Sequence, residues 1–130
     1  MNKIECVCLI EDDPIVVLLM RKFLEKTGKA GQFVSYQNGK EAYDNLKDKF
    51  EKGDPLPELI FLDINMPVWD GWNFLSEFIK LPLQENIIIY ILTSSTSPED
   101  LSLTKKYGLQ DRYILKPMSF EKLNKILNSI

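Results

Sequence analysis

No histidine occurs anywhere in the 130 residues. That absence removes Ser-His and Cys-His catalytic couples, zinc held through imidazole, and any self-phosphorylation on histidine. Cysteine is nearly as scarce, Cys6 and Cys8 being the only two. Two apart on an extended segment, they share a face with parallel side chains, a poor geometry for a disulfide. Without histidine they cannot complete a tetrahedral metal site, so they read as reduced, buried core thiols. No apolar run approaches the roughly 18 residues that cross a bilayer. Met1-Asn2-Lys3-Ile4-Glu5 lacks the apolar stretch and cleavage site of a leader. No strong charge excess exists either: the net charge is −3 and the basic residues are dispersed, which gives no electrostatic footprint for nucleic acid. No Gly-rich loop follows the first apolar segment, which removes the nucleotide-binding fingerprint. The expectation is a cytoplasmic protein without membrane or nucleic-acid partners, whose chemistry rests on carboxylates, lysine, hydroxyls and a hard metal.

What is present is an ordinary globular composition, 45% hydrophobic and 27% charged, at a length suited to one domain. Ile4 to Ile10 is apolar apart from Glu5 and predicts a strand buried on both faces. Asp13-Pro14 reads as an N-cap followed by proline at the first helical position. That helix carries Ile15, Leu18, Leu19 and Phe23 at helical spacing and stops at Thr27-Gly28. Phe33 to Tyr36 is a short second strand. Asn38-Gly39 opens a helix with Ala42, Tyr43, Leu46 and Phe50 on one face, and Gly53-Asp54-Pro55-Leu56-Pro57 ends it and forms a longish loop. A third strand runs from Leu59 to its end at Asp63. A third helix carries Trp72, Leu75, Phe78 and Ile79 and ends near Pro82. Ile87 to Leu92 is the fourth strand, Ser97-Pro98-Glu99-Asp100 the start of a helix closed by Gly108. Arg112 to Leu115 is the fifth strand, and Ser119 begins a last helix with Phe120, Leu123, Ile126 and Leu127 inward. Strand and helix alternate five times without repeats, which predicts an α/β fold with a parallel sheet and helices on both faces.

Four strands end in chemistry. The first runs into Glu11-Asp12-Asp13, the third into Asp63, the fourth into Thr93-Ser94-Ser95, the fifth into Lys116-Pro117. With right-handed crossovers these ends share one edge of the sheet, so residues roughly 100 positions apart meet. The acids suit Mg²⁺, lysine and threonine suit phosphoryl oxygens, and Asp63 between them becomes an activated carboxylate nucleophile. Each piece alone has a plainer reading: a helix-cap cluster for Glu11-Asp12-Asp13, a turn for Asp63, a polar loop for Thr93-Ser94-Ser95, a strand exit for Lys116. Their joint placement favours the site.

Across essentially its whole length the chain resembles the receiver domain of bacterial two-component response regulators. The resemblance is carried by Leu9-Ile10-Glu11-Asp12-Asp13-Pro14, Leu62-Asp63-Ile64-Asn65-Met66-Pro67, Asp70-Gly71, Leu92-Thr93-Ser94-Ser95 and Tyr113-Ile114-Leu115-Lys116-Pro117. It implies a doubly wound (βα)5 sandwich of the flavodoxin/CheY-like kind, with strand order 2-1-3-4-5. It also implies that Asp63 is a phosphoacceptor, supplied by a sensor histidine kinase or histidine phosphotransfer protein. Mg²⁺, with Mn²⁺ as a substitute ion, would be held by Glu11, Asp12, Asp63 and the backbone carbonyl of Asn65. Asp13 would be the helix cap or an auxiliary acid. Lys116, Thr93 and Ser94 would meet the phosphoryl group, with Tyr113 swinging inward behind Thr93 and the Lys116-Pro117 bond cis. The resemblance further implies a signalling phosphoprotein and no enzyme beyond its own phosphoryl transfer and dephosphorylation. A downstream protein target would bind the face of the fourth helix, fifth strand and fifth helix, where Lys105, Lys106, Tyr107 and Tyr113 are candidates.

Departures are modest. The acidic pair is Glu-Asp, Ser94 stands where alanine is more usual, and Asn65 and Ser95 beside the path of water are neutral. The loop after the second helix resembles that of small stand-alone receivers, some of which work with phytochrome-type kinases. The chain is expected to be a single receiver domain, residues 1–130, without an effector domain. Two rivals have specific requirements. A pseudo-receiver that only docks should have lost site residues, yet Asp12, Asp63, Thr93 and Lys116 are present. A haloacid-dehalogenase-type phosphohydrolase wants its nucleophile after the first strand with a second aspartate two residues on, and position 65 is asparagine. Trp69 is expected to be an exposed loop residue and Trp72 a core anchor.

Overall fold

The computed structural model describes residues 3–83 and 86–130. Met1 and Asn2, the first residues of the leader reading, lie outside that range. Strands β1 (Ile4–Ile10), β2 (Ala30–Tyr36), β3 (Leu59–Leu62), β4 (Ile88–Thr93) and β5 (Tyr113–Leu115) alternate with helices α1 (Pro14–Thr27), α2 (Gly39–Lys52), α3 (Gly71–Phe78), α4 (Pro98–Lys106) and α5 (Phe120–Asn128). All pairings are parallel, in the order β2-β1-β3-β4-β5. The expected doubly wound sandwich is the one observed.

The period of two along the central strands divides the core in two. Cys8, Ile10, Ile60 and Leu62 face Ala42 and Leu46 of α2 and Trp72, Phe74 and Phe78 of α3. Val7, Leu9, Leu59 and Phe61 face Met20 and Leu24 of α1 and Leu123, Ile126 and Leu127 of α5. Strands covered on both faces must be apolar throughout, which is why β3 reads Leu-Ile-Phe-Leu with every residue buried. Helix ends follow their local signals. Asp13, Asn38, Ser97 and Ser119 cap α1, α2, α4 and α5 through side-chain oxygens, and Gly28 and Gly53 end α1 and α2 in left-handed conformations.

Several expectations need correction. The apolar spacing on α1 picks the wrong face: Ile15, Leu18 and Leu19 are exposed, and Met20 and Leu24 are buried with Val16 and Val17 packed beside them. Phe23 is only half-buried, edge-on to Phe120. β2 begins three residues early because Ala30 pairs with Ile4, although Gly31 and exposed Gln32 hide the strand pattern. Ile79 caps the end of α3 and is exposed; Phe74 holds the buried position instead. A short 3₁₀ turn, Gln110–Arg112, precedes β5 and takes Arg112 out of the strand. Cys6 is half-buried and only Cys8 is in the core; both are free thiols. Trp69 is half-buried against Tyr43.

Candidate functional site

The register delivers the site directly. Ile10 lies opposite Leu62, and the amide of Asp63 donates to the Ile10 carbonyl at 2.9 Å. Glu11 follows Ile10 and donates to the Tyr36 carbonyl, and the amide of Lys116 donates to the Thr93 carbonyl. The residues after four strand ends therefore sit on one rim, at the point where β1 neighbours both β2 and β3.

Glu11 is 1% exposed, Asp63 3% and Thr93 0%, whereas Asp12 faces solvent. One carboxylate oxygen each from Glu11, Asp12 and Asp63 lies within 4.8 Å of the others. Lys116 Nζ sits 2.7 Å from Glu11 Oε1 and 3.5 Å from Asp63 Oδ1. That ammonium is the charge partner of buried Glu11 Oε1. Oε2 of the same carboxylate accepts the Asp13 amide at 3.2 Å. Burial raises the Glu11 carboxyl to about 7; Lys116 opposes the rise and nearby Asp63 adds to it. Burial lowers the Lys116 ammonium, but contact with Glu11 and Asp63 outweighs it and the net shift is upward. Hard carboxylate oxygens gathered within reach of one another and a local excess of negative charge fit a divalent cation.

The other expected residues occupy different positions around this cluster. Asp13 is a cap: its carboxylate accepts the Ile15 amide at 2.9 Å. Asn65 and Ser94 are exposed on the rim. Thr93 Oγ1 accepts the Ser95 amide at 3.0 Å, leaving its own proton free to donate. The Tyr113 hydroxyl donates to the Ser95 carbonyl, so this ring already reaches the loop after β4. The Lys116-Pro117 bond is cis.

Three features go beyond the roles read from the motifs, although Gly71 itself stands in one of them. Gly71 packs its α-carbon against the Asp63 backbone, where a Cβ would come within 2.4 Å of the Asp63 carbonyl oxygen. Val68, 76% exposed, holds a left-handed φ of 69° in the loop beside Asp63, a costly conformation for a β-branched residue. Asp100 of α4 accepts from both Trp72 Nε1 and Ser95 Oγ. A glycine beginning a helix after a strand-end acid is a signal for the first; nothing local in the sequence marks the other two.

The fold and site together define a doubly wound α/β domain that carries acids, a threonine and a lysine at the carboxyl ends of its strands. The description "Response regulator receiver domain" matches residues 7–128, and the chain belongs to that family. It is 31% identical over 124 residues to the probable methanogenesis regulatory protein FilR2 of Methanothrix harundinacea (strain 6Ac), covering 95% of this chain and 79% of FilR2. It is 31% identical over 121 residues to the probable C4-dicarboxylate response regulator DctR of Bacillus subtilis (strain 168), with 93% of this chain and 50% of DctR covered. The chain thus spans about half the length of that relative. The crystal structure of a two component response regulator from Cytophaga hutchinsonii superimposes with a TM-score of 0.82 at 31% identity, covering 98% of this chain and 97% of the other. Among the described residues no helix is long and apolar enough to cross a membrane.

Proposed function

We propose that Asp63 receives a phosphoryl group from a phosphohistidine on a separate sensor kinase or phosphotransfer protein. The carrying observation is the Lys116 ammonium lying between Glu11 at 2.7 Å and Asp63 at 3.5 Å, in a buried acid cluster open through Asp12 to solvent. A carboxylate oxygen of Asp63 attacks phosphorus, the P–N bond of the donor breaks, and its electron pair leaves on the imidazole, which is then protonated. Glu11, Asp12, Asp63 and the Asn65 carbonyl are the residues to hold Mg²⁺, which when bound neutralises charge on the transferring oxygens. Lys116 keeps one phosphoryl oxygen paired, and Thr93, its proton uncommitted, donates to another. Tyr113, bonded to the same loop, carries the change to the face of α4, β5 and α5, where a partner protein reads it.

Incubation with Mg²⁺ and acetyl phosphate, followed by intact-mass measurement, tests this. The parent gains one phosphate and Asp63→Asn gains none. A folded parent that stays unmodified sinks the proposal, as does equal modification of Asp63→Asn.

A further inference from the structure

One indole holds α4 at both ends. Trp72 lies in the first turn of α3, immediately after the glycine that packs on Asp63. Its Nε1 donates to Asp100 Oδ1 at 2.8 Å, in the first turn of α4. Its ring stacks on Tyr107, the residue that ends α4, with centroids 5.9 Å apart and planes within 10°. The second oxygen of Asp100 accepts the Ser95 hydroxyl at 2.6 Å, and Ser95 Oγ in turn accepts the Ser97 amide at 3.2 Å. Ser95 is also the residue whose amide meets Thr93 Oγ1 and whose carbonyl receives the Tyr113 hydroxyl. A continuous path therefore runs from Gly71 on the Asp63 backbone through Trp72, Asp100 and Ser95 to Thr93.

We propose that Trp72 and Asp100 form a latch that positions the Ser95 loop, and that this latch holds Thr93 and Tyr113 ready before a phosphoryl group arrives. The role in phosphorylation rests on Asp63 being the acceptor. Trp72 and Asp100 are positioning residues, since neither touches the acid cluster. The geometry suits the task. A carboxylate that splits its two oxygens between an indole and a hydroxyl fixes its own rotamer, and each bond made to a charged acceptor is stronger than a neutral one. Burial acts against the charged form, yet the bonds from Ser95 and Trp72 lower the Asp100 carboxyl below its ordinary value. Ser95 is thereby held through its amide, carbonyl and hydroxyl together, and a residue held at three points gives Thr93 little freedom to turn away.

The test uses Ser95→Ala and Asp100→Asn in a Trp69→Phe background, which leaves Trp72 as the sole indole. First, hydrogen exchange of the Trp72 indole N–H is followed by NMR in phosphate-free protein. Ser95→Ala touches neither the indole nor the oxygen that accepts from it, so faster exchange, by roughly tenfold for one lost charge-assisted bond, reads coupling through Asp100. Unchanged exchange overturns the latch even where no phosphorylation is measured. Second, the rate of modification by acetyl phosphate with Mg²⁺ falls by roughly tenfold in each variant. The double variant is no slower than the slower single one, because both remove the same restraint. Parental rates in folded single variants, or multiplying losses in the double variant, overturn the positioning role. A parent that is never modified at Asp63 speaks against the acceptor reading, and the exchange measurement still decides the latch.

Discussion

The α-carbon of Gly71 rests against the Asp63 backbone so closely that a Cβ added there would lie 2.4 Å from the Asp63 carbonyl oxygen. Backbone cannot move aside as a flexible side chain can. Gly71→Ala should therefore displace the start of α3 or the Asp63 segment, destabilising the protein by about 1–3 kcal/mol as overpacking does. Urea denaturation measures the cost, and a parallel fall in acetyl phosphate reactivity shows that Asp63 has moved. A variant with parental stability would mean that the contact is relieved at no expense.

Removing the ammonium leaves Glu11 and Asp63 facing each other. Lys116→Ala should be destabilised by several kcal/mol at pH 8, where Glu11 is pressed to ionise beside Asp63, in line with about 3–5 kcal/mol for breaking a buried pair. The loss should shrink toward pH 5.5. Glu11 already has its carboxyl raised to about 7, and protonation removes the repulsion that Lys116 otherwise offsets. Denaturant midpoints for parent and variant at the two pH values check this; a pH-independent difference would contradict it.

At alkaline pH the buried Cys8 thiol and Tyr36 hydroxyl act together. Burial raises both, Tyr36 to about 12. Their folded values exceed their unfolded ones, so the stability they support is complete only below about pH 8. It is lost as pH rises through the unfolded values toward the folded ones. Thermal melts between pH 8 and pH 11 should show a steady fall, weakened in Tyr36→Phe. Thiol labelling at pH 8 should modify half-buried Cys6 slowly and Cys8 only on unfolding, since burial raises both thiols and hides Cys8 completely.

Val68 stands in left-handed backbone at φ 69°, with its side chain almost fully in solvent. Val68→Gly loses little packing and relieves a conformation that costs a β-branched residue about 1–2 kcal/mol. The greater freedom of glycine in the unfolded chain takes back about 0.5–1 kcal/mol. A net gain of up to about 1 kcal/mol is expected by urea denaturation, and a loss would show that the loop needs the isopropyl group.

The sequence made the rim of the sheet legible because polar residues interrupt apolar strands abruptly, and parallel topology leaves only one edge for them to share. Glu11, Asp12 and Asp63 meet there, with Lys116 against two of them. Asp13 was ambiguous because a cap and a site acid look alike in sequence; only the bond to the Ile15 amide separates them. The buried face of α1 is not legible in the sequence, because apolar residues surround much of that helix and spacing alone selects no single stripe. Exposed Ile15, Leu18 and Leu19 are as apolar as the buried Met20 and Leu24. The first residues of β2 carry no strand signal, because Gly31 has no side chain to show one and Ala30 and Gln32 owe their places to pairing with β1. The Trp72–Asp100–Ser95 path joins three elements through rotamers, which no local pattern encodes.

Counting formal charge at the rim gives three carboxylates against one ammonium. The deficit of two positive charges is what a divalent ion carries. A phosphoryl donor, the partner the proposed function requires, is itself an anion, so an ion-free site would repel it, and partial protonation of Glu11 would only soften that repulsion. With the ion seated the rim becomes neutral and the same approach is no longer opposed. Under the proposed function the acid excess is an electrostatic turnstile: a divalent ion entering on the open side, at Asp12, becomes the condition for phosphoryl transfer to Asp63.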